Sequence, residues 1–265
     1  MHILIKILIF ALVANTVSFL VYSLASPYAG APKLLRIRTI RGSNIFSYFI
    51  AGNMNNASNV TRQLSDSLPG NIIAVDFCPT GYSPRKFIEA MTDHILTLPR
   101  GAEVLLFSSS LGTQPSQTLS HDTGLPLLPI DPCMNAGFLH PGWKAACYVA
   151  AILGTPVKYA LGWLSYLPFP TKKPEYQGYS LATLVDQYFW IINYKAAGPG
   201  NIIGIARSKR DQIVRDDKVK TYFSGIKIVL VNSEHCNTEA NANKYNKAIE
   251  KILRKYRTKK QAQDD

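Results

Sequence analysis

From residue 34 onward, short apolar runs alternate with stretches of helical periodicity. Leu34–Ile40 and Asn44–Ile50 read as a strand pair joined at Arg41-Gly42-Ser43. Asn71–Phe77 reads as a further strand and Glu103–Phe107 as a fully buried one, followed by Leu125–Ile130, Asn201–Ala206 and Lys227–Val231. Between them the spacing predicts helices over Ser58–Leu68 and Pro84–Leu98, a short one after Ser110, and a closing helix over Glu239–Arg257. Strands alternating with helices are the signature of βαβ units. The fold class is therefore α/β: a mostly parallel sheet with helices on both faces.

Two regions break this rhythm. Ile3–Ala25 is apolar except for Lys6 and a few small polar residues, and a helix needs about 20 such residues to cross a hydrocarbon core. Residues 1–26 are read as a transmembrane signal anchor, with cleavage after Ser23-Leu24-Ala25, and hence secretion, as the alternative. Lys6 precedes the stretch whereas Lys33, Arg36, Arg38 and Arg41 follow it; positive residues favour the cytoplasmic side, and a secreted or surface domain needs the reverse, so the side stays open. The second region, Asp131–Pro199, is rich in Pro, Gly, Tyr and Trp. Its apolar stretch Ala145–Phe169 contains Gly154, Pro156, Lys158 and Gly162, which argue against a second span. Residues 132–198 are read instead as a helical cap inserted into a domain covering 27–265.

Composition narrows the classes. A hydrophobic fraction of 47% with only 17% charged residues excludes a disordered chain. The net charge of +12 is unevenly placed: no acidic residue precedes Asp66, and the last stretch is strongly basic. No zinc-finger, aromatic RNA-binding or basic-zipper pattern accompanies the charge, so no nucleic-acid partner is expected. Anionic head groups suit the basic zones as well as a solvated surface does. Cys78, Cys133, Cys147 and Cys236 form no metal-binding spacing, and a Cys133–Cys147 bridge stays open. No cofactor or metal is implied.

The chemistry lies in three segments. Val104–Phe107 runs into Ser108-Ser109-Ser110-Leu111-Gly112, a variant of the Gly-x-Ser-x-Gly nucleophile elbow. Such a turn is tight, so the positions two before and two after the nucleophile must be small; Ser108 and Gly112 qualify. Ser110 then stands at a helix N-terminus, where the Leu111 N–H can face a developing oxyanion. Asp211 follows the strand Asn201–Ala206, and His235 follows Lys227–Val231, in the order Ser, Asp, His that this architecture expects. Asp216 and Asp217 are rival acids later in the same loop, while His94, His121 and His140 lack a matching serine.

In these motifs the body from about residue 34 to the end resembles the α/β-hydrolase fold family. The resemblance implies a serine hydrolase with Ser110 as nucleophile, Asp211 as acid and His235 as general base. It also implies a second oxyanion amide from Asn53 or Met54, and a structural role for Asp76. The chain departs from the usual pattern at Ser108, where glycine is common, and at Thr113, where many members carry a second glycine. The expected activity is cleavage of a carboxylic ester or thioester through an acyl-enzyme, on a small-molecule or lipophilic substrate. Tyr148, Tyr159 and Trp163 of the cap are candidates to line an acyl pocket. A non-catalytic binding module on the same fold, and a peptidase or acyltransferase on the same triad, are the competing expectations.

Overall fold

The computed structural model describes residues 5–6, 9–10, 13, 32–52, 57–76, 84–167, 180–193, 198 and 200–264. The proposed membrane segment therefore lies almost wholly outside the described residues. Among those described, no helix is long and apolar enough to cross a membrane.

Seven strands, β1 (Lys33–Arg38), β2 (Ile45–Ile50), β3 (Asn71–Asp76), β4 (Glu103–Ser109), β5 (Leu127–Ile130), β6 (Ile205–Ser208) and β7 (Ile228–Val231), form one sheet in the order β1-β3-β2-β4-β5-β6-β7. Every neighbouring pair is parallel except β1 with β3. This corrects the expected pairing of the first two strands, because β3 inserts between them. The reason is burial. β3 is buried from Asn71 to Val75 and needs neighbours on both sides, whereas β1 exposes Lys33 and Arg36 and tolerates the edge. Arg38 holds that edge in place: its guanidinium donates to the carbonyls of Gly70 and Ser65, at 3.1 and 2.9 Å, and also to that of Leu68. One member of the basic N-terminal zone is thus an internal clamp.

Helices α1 (Ala57–Gln63), α2 (Pro84–Leu96), α3 (Thr113–Thr123), α4 (Pro141–Leu161), α5 (Leu181–Asn193), α6 (Asp216–Tyr222) and α7 (Thr238–Asp264) complete the order. Two apolar clusters lie on the two faces of the sheet. Tyr48, Ile50 and Leu106 belong to one with Phe87 and Met91 of α2; Phe49, Leu105 and Phe107 belong to the other with Ile249 and Ile252 of α7. Successive residues of β2 and β4 thus point to opposite layers, the period-2 rule for a sheet covered on both sides.

Register fixes one functional rim. Ile50 pairs with both Val75 and Ser108, and Ser109 with Ile130, so β2–β5 end together. Lys33, the first residue of the antiparallel β1, lies opposite Asp76 at that same rim. Between β5 and β6 the chain runs through α4 and α5, which pack on one another.

Candidate active site

The elbow is built as the residue sizes require. Ser110 follows β4 with a left-handed backbone (φ 48°), so a side chain normally excluded from this region is held there by its surroundings. A Cβ on Gly112 would lie 2.4 Å from the Ile50 carbonyl oxygen and 2.5 Å from that of Ala51, which no side chain survives. Gly52 approaches as closely from the other side, where a Cβ would stand 2.7 Å from Ser110 Cβ. The two departures from the usual elbow pattern pair with each other: buried Ser108 donates its hydroxyl to Thr113 Oγ1 at 3.2 Å. Ser109 Oγ accepts the Gly52 N–H at 3.0 Å, locking the elbow to the end of β2.

Three distant loops converge on Ser110. His235 Nε2 lies 2.8 Å from Ser110 Oγ, and its Nδ1 lies 2.7 Å from Asp211 Oδ2. Asp211 Oδ1 accepts the backbone N–H groups of Ile213 and Val214, both at 2.8 Å, so the carboxylate cannot swing away. Burial alone would raise the Asp211 carboxyl. The hydrogen bond and charge of His235, the charge of Arg207 and the Val214 N–H outweigh it and bring the group down to about 2. Asp216 and Asp217 do not join this group. They begin α6, half-exposed, and pair with Lys220 and Arg215; Asp216 also comes within 3.9 Å of the Arg207 guanidinium but reaches neither His235 nor Ser110. His94 instead meets the Tyr48 hydroxyl, His121 pairs with Asp122, and His140 precedes α4.

Behind the triad stands a network that sequence reasoning missed. Arg207, fully buried, donates to Asp211 Oδ2 and to the Val214 carbonyl, and lies 3.5 Å from Asp131. Asp131, also fully buried, accepts the Ser208 N–H at 2.6 Å and its hydroxyl at 2.8 Å, the Cys236 N–H at 2.8 Å and the Tyr245 hydroxyl at 2.9 Å. One carboxylate thus ties the acid loop to the histidine loop. Among the described residues the non-glycine positions with positive φ are Ser110 and Asp131, directly after β4 and β5, and Cys236 in the loop after β7. The signal for Asp131 was visible, an acid directly after an apolar strand in Pro129-Ile130-Asp131, but it fell at the cap boundary. Arg207 was hidden because Lys209 and Arg210 follow it and make the stretch look solvated.

Asp131, His235 and Cys236 bring potential metal-ligand atoms within 4.8 Å of one another. Their chemistry does not fit an ion. Asp131 is saturated with donors, His235 Nδ1 faces Asp211, and burial with the adjacent carboxylates drives the Cys236 thiol well above its ordinary range. Cys133 and Cys147 are free thiols, the first pushed up to about 12 by burial; no bridge joins them.

The Leu111 amide follows Ser110 at the start of a single 3-10 turn leading into α3. Asn53 and Met54 lie outside the described residues, as does the side chain of Trp163. Tyr148 and Tyr159, expected to line an acyl pocket, stand on the outer face of α4 with 38% and 59% of their surface exposed.

No protein-family model and no curated protein matches the chain. Solved structures do. An epoxide hydrolase from Bacillus megaterium superposes with a TM-score of 0.59 at 12% identity, covering 84% of this chain and 96% of that one. The carboxylesterase CesB from Bacillus subtilis gives 0.52 at 13% identity over 91% and 98% of the two chains. The haloalkane dehalogenase DatA from Agrobacterium tumefaciens gives 0.53 at 14% identity over 86% and 99%. Together with the seven-stranded order and the elbow after β4, these likenesses establish that the chain has the α/β-hydrolase fold.

Proposed function

We propose that this protein is a serine hydrolase that cleaves carboxylic ester or thioester bonds through an acyl-enzyme. The observation that carries the reading is the continuous chain from Ser110 Oγ to His235 Nε2, and from His235 Nδ1 to Asp211. A serine hydroxyl is a weak nucleophile at neutral pH, so attack on an acyl carbon requires His235 to take its proton as the bond forms. The imidazolium so created faces a buried site in which two carboxylates, Asp131 and Asp211, oppose one guanidinium, that of Arg207. One negative charge is left uncompensated at rest, and the new positive charge neutralises it. His235 then returns the proton to the leaving alcohol or thiol, and water releases the acyl group by the same steps in reverse order.

The reading extends to a lipophilic substrate and to attachment at a membrane, supported by the apolar stretch Ile3–Ala25 and the excess of basic residues. The test is a fluorophosphonate probe. The full chain in detergent should acquire one adduct, mapped by mass spectrometry to the peptide holding Ser110, and Ser110→Ala should acquire none. An unlabelled wild type that is folded by circular dichroism would overturn the proposal.

A further inference from the structure

We propose that the outer face of α4 rests on a lipid bilayer, which sets the rim carrying Ser110 against the membrane. The consequence for substrate delivery rests on the hydrolase reading; the docking itself does not.

The face is unlike that of a soluble helix. Val149, Ile152, Leu153 and Tyr159 have 54%, 66%, 62% and 59% of their surface exposed, and Val157 has 46%. At 3.6 residues per turn these positions, with exposed Ala145, Pro156 and Ala160 between them, sweep about half the helix circumference without a charge. The opposite side is already occupied: Cys147 and Ala151 are buried, and Gly154 sits so close to Val185 of α5 that a Cβ would lie 2.5 Å from it. α4 has therefore found its protein neighbours and still presents an apolar half. An exposed apolar surface this continuous marks an interaction site.

Three observations select a bilayer as the occupant. First, no acidic residue occurs between Asp131 and Glu175, and Lys144 stands exposed at the start of α4, while the second lysine of the helix, Lys158, is already paired with Asp186 of α5 at 2.6 Å. That composition suits an interfacial helix beside anionic lipid. Second, α4 departs from the catalytic rim: the His140 N–H, just before it, donates to the Ile213 carbonyl at 2.9 Å, within the loop that orients Asp211. Third, the apolar stretch Ile3–Ala25 joins the body at this same rim, because Lys33 lies opposite Asp76. The joint, residues 26–32, can span at most about 25 Å when extended. A membrane holding that stretch would face the rim from which α4 departs.

The experiment uses the full chain in vesicles of phosphatidylcholine with phosphatidylglycerol. An environment-sensitive fluorophore is placed at Ile152→Cys and, as the opposite-rim control, at Arg41→Cys; wild type taken through the same labelling corrects for native thiols. Emission from position 152 should shift to shorter wavelength and be quenched by brominated lipid, and emission from position 41 should do neither. Adding Val149→Asp and Leu153→Asp to Ile152→Cys should abolish the shift, with the far-UV circular dichroism unchanged because both side chains are already exposed. Adding Ser110→Ala should leave the shift intact, so a failed hydrolase reading and a failed docking reading give different results. A position-152 label that keeps its aqueous emission in vesicles overturns the proposal. So does a shift that appears without lipid and grows with protein concentration, which would assign the face to a second copy.

Discussion

The catalytic rim and the α4 face invert the usual rule of polar outside and apolar inside, in opposite directions. At the rim, Arg207 and Asp131 are fully buried, and each is tied to several partners across three loops. On α4, Ile152 and Leu153 are almost two-thirds exposed. A buried charge costs several kcal/mol unless it is paired, so the rim is stable only as a complete set. An exposed leucine costs the fold almost nothing, so the α4 face is tolerated rather than required by it. The rim should therefore be brittle towards single changes and the α4 face indifferent to them.

The largest effect should come from the triad itself. On the proposed mechanism His235→Ala removes the base that every later step depends on, and turnover of an activated ester should fall by about a millionfold, as for single knockouts in comparable triads. Asp211→Asn keeps the shape but permits the wrong imidazole tautomer, and should cost about ten-thousandfold. Steady-state rates across the two variants and wild type check the order; a nearly active Asp211→Asn would remove the acid role from Asp211.

Next come the groups behind the triad, which should reveal themselves in stability as well as rate. Asp131→Asn removes one of the two carboxylates facing Arg207, leaving Asp211 alone to compensate it, and weakens the anchor that joins Ser208, Cys236 and Tyr245. Removing one partner from a buried pair costs about 3–5 kcal/mol, which denaturant unfolding reads directly. The double variant Asp131→Asn with Arg207→Met should cost less than the sum of the singles, because each single change already removes the attraction between the two groups. Strict additivity would mean the two groups do not interact.

A smaller effect belongs to Asp211 alone. Its carboxyl is held at about 2, below the ordinary 3.8, so the folded state binds the proton less readily than the unfolded chain does. The resulting stabilisation is complete above about pH 4 and disappears as pH falls through about 2; it amounts to roughly 2 kcal/mol. Stability measured from pH 5 to pH 2 should therefore fall more steeply in wild type than in Asp211→Asn.

How much of this contrast was legible follows from which physics is local. The strands and the elbow announce themselves through period and size: Gly112 must be small because the Ile50 and Ala51 carbonyls crowd it, and that demand is written in the residue. Ser110, Asp211 and His235 could be found because strand ends deliver them to one rim in a fixed order. The insertion of β3 between β1 and β2 could not, since adjacent strands with a short joint suggest a hairpin and only the two-sided burial of β3 decides otherwise. Strand β6 was placed too early for a related reason: Ile202 and Ile203 are apolar, but apart from the isolated bridge of Ile202 to Leu127 the ladder begins only at Ile205. Apolar residues between β5 and β6 look the same in sequence whether they face inward or outward, so the exposure of Tyr148 and Tyr159 could not be read from the sequence.

The smallest effect sharpens the comparison most. Ile249 on α7 is fully buried against the sheet, and Ile152 on α4 is 66% exposed, yet in sequence both are apolar residues of helices. Ile249→Ala opens a cavity and should cost about 2–5 kcal/mol in unfolding by denaturant. Ile152→Ala gives up no interior packing and should change stability by less than about 0.5 kcal/mol. If Ile152→Ala were as costly as Ile249→Ala, the α4 face would have to be covered in the lipid-free protein, and the contrast between a self-sufficient rim and a surface awaiting its partner would be lost.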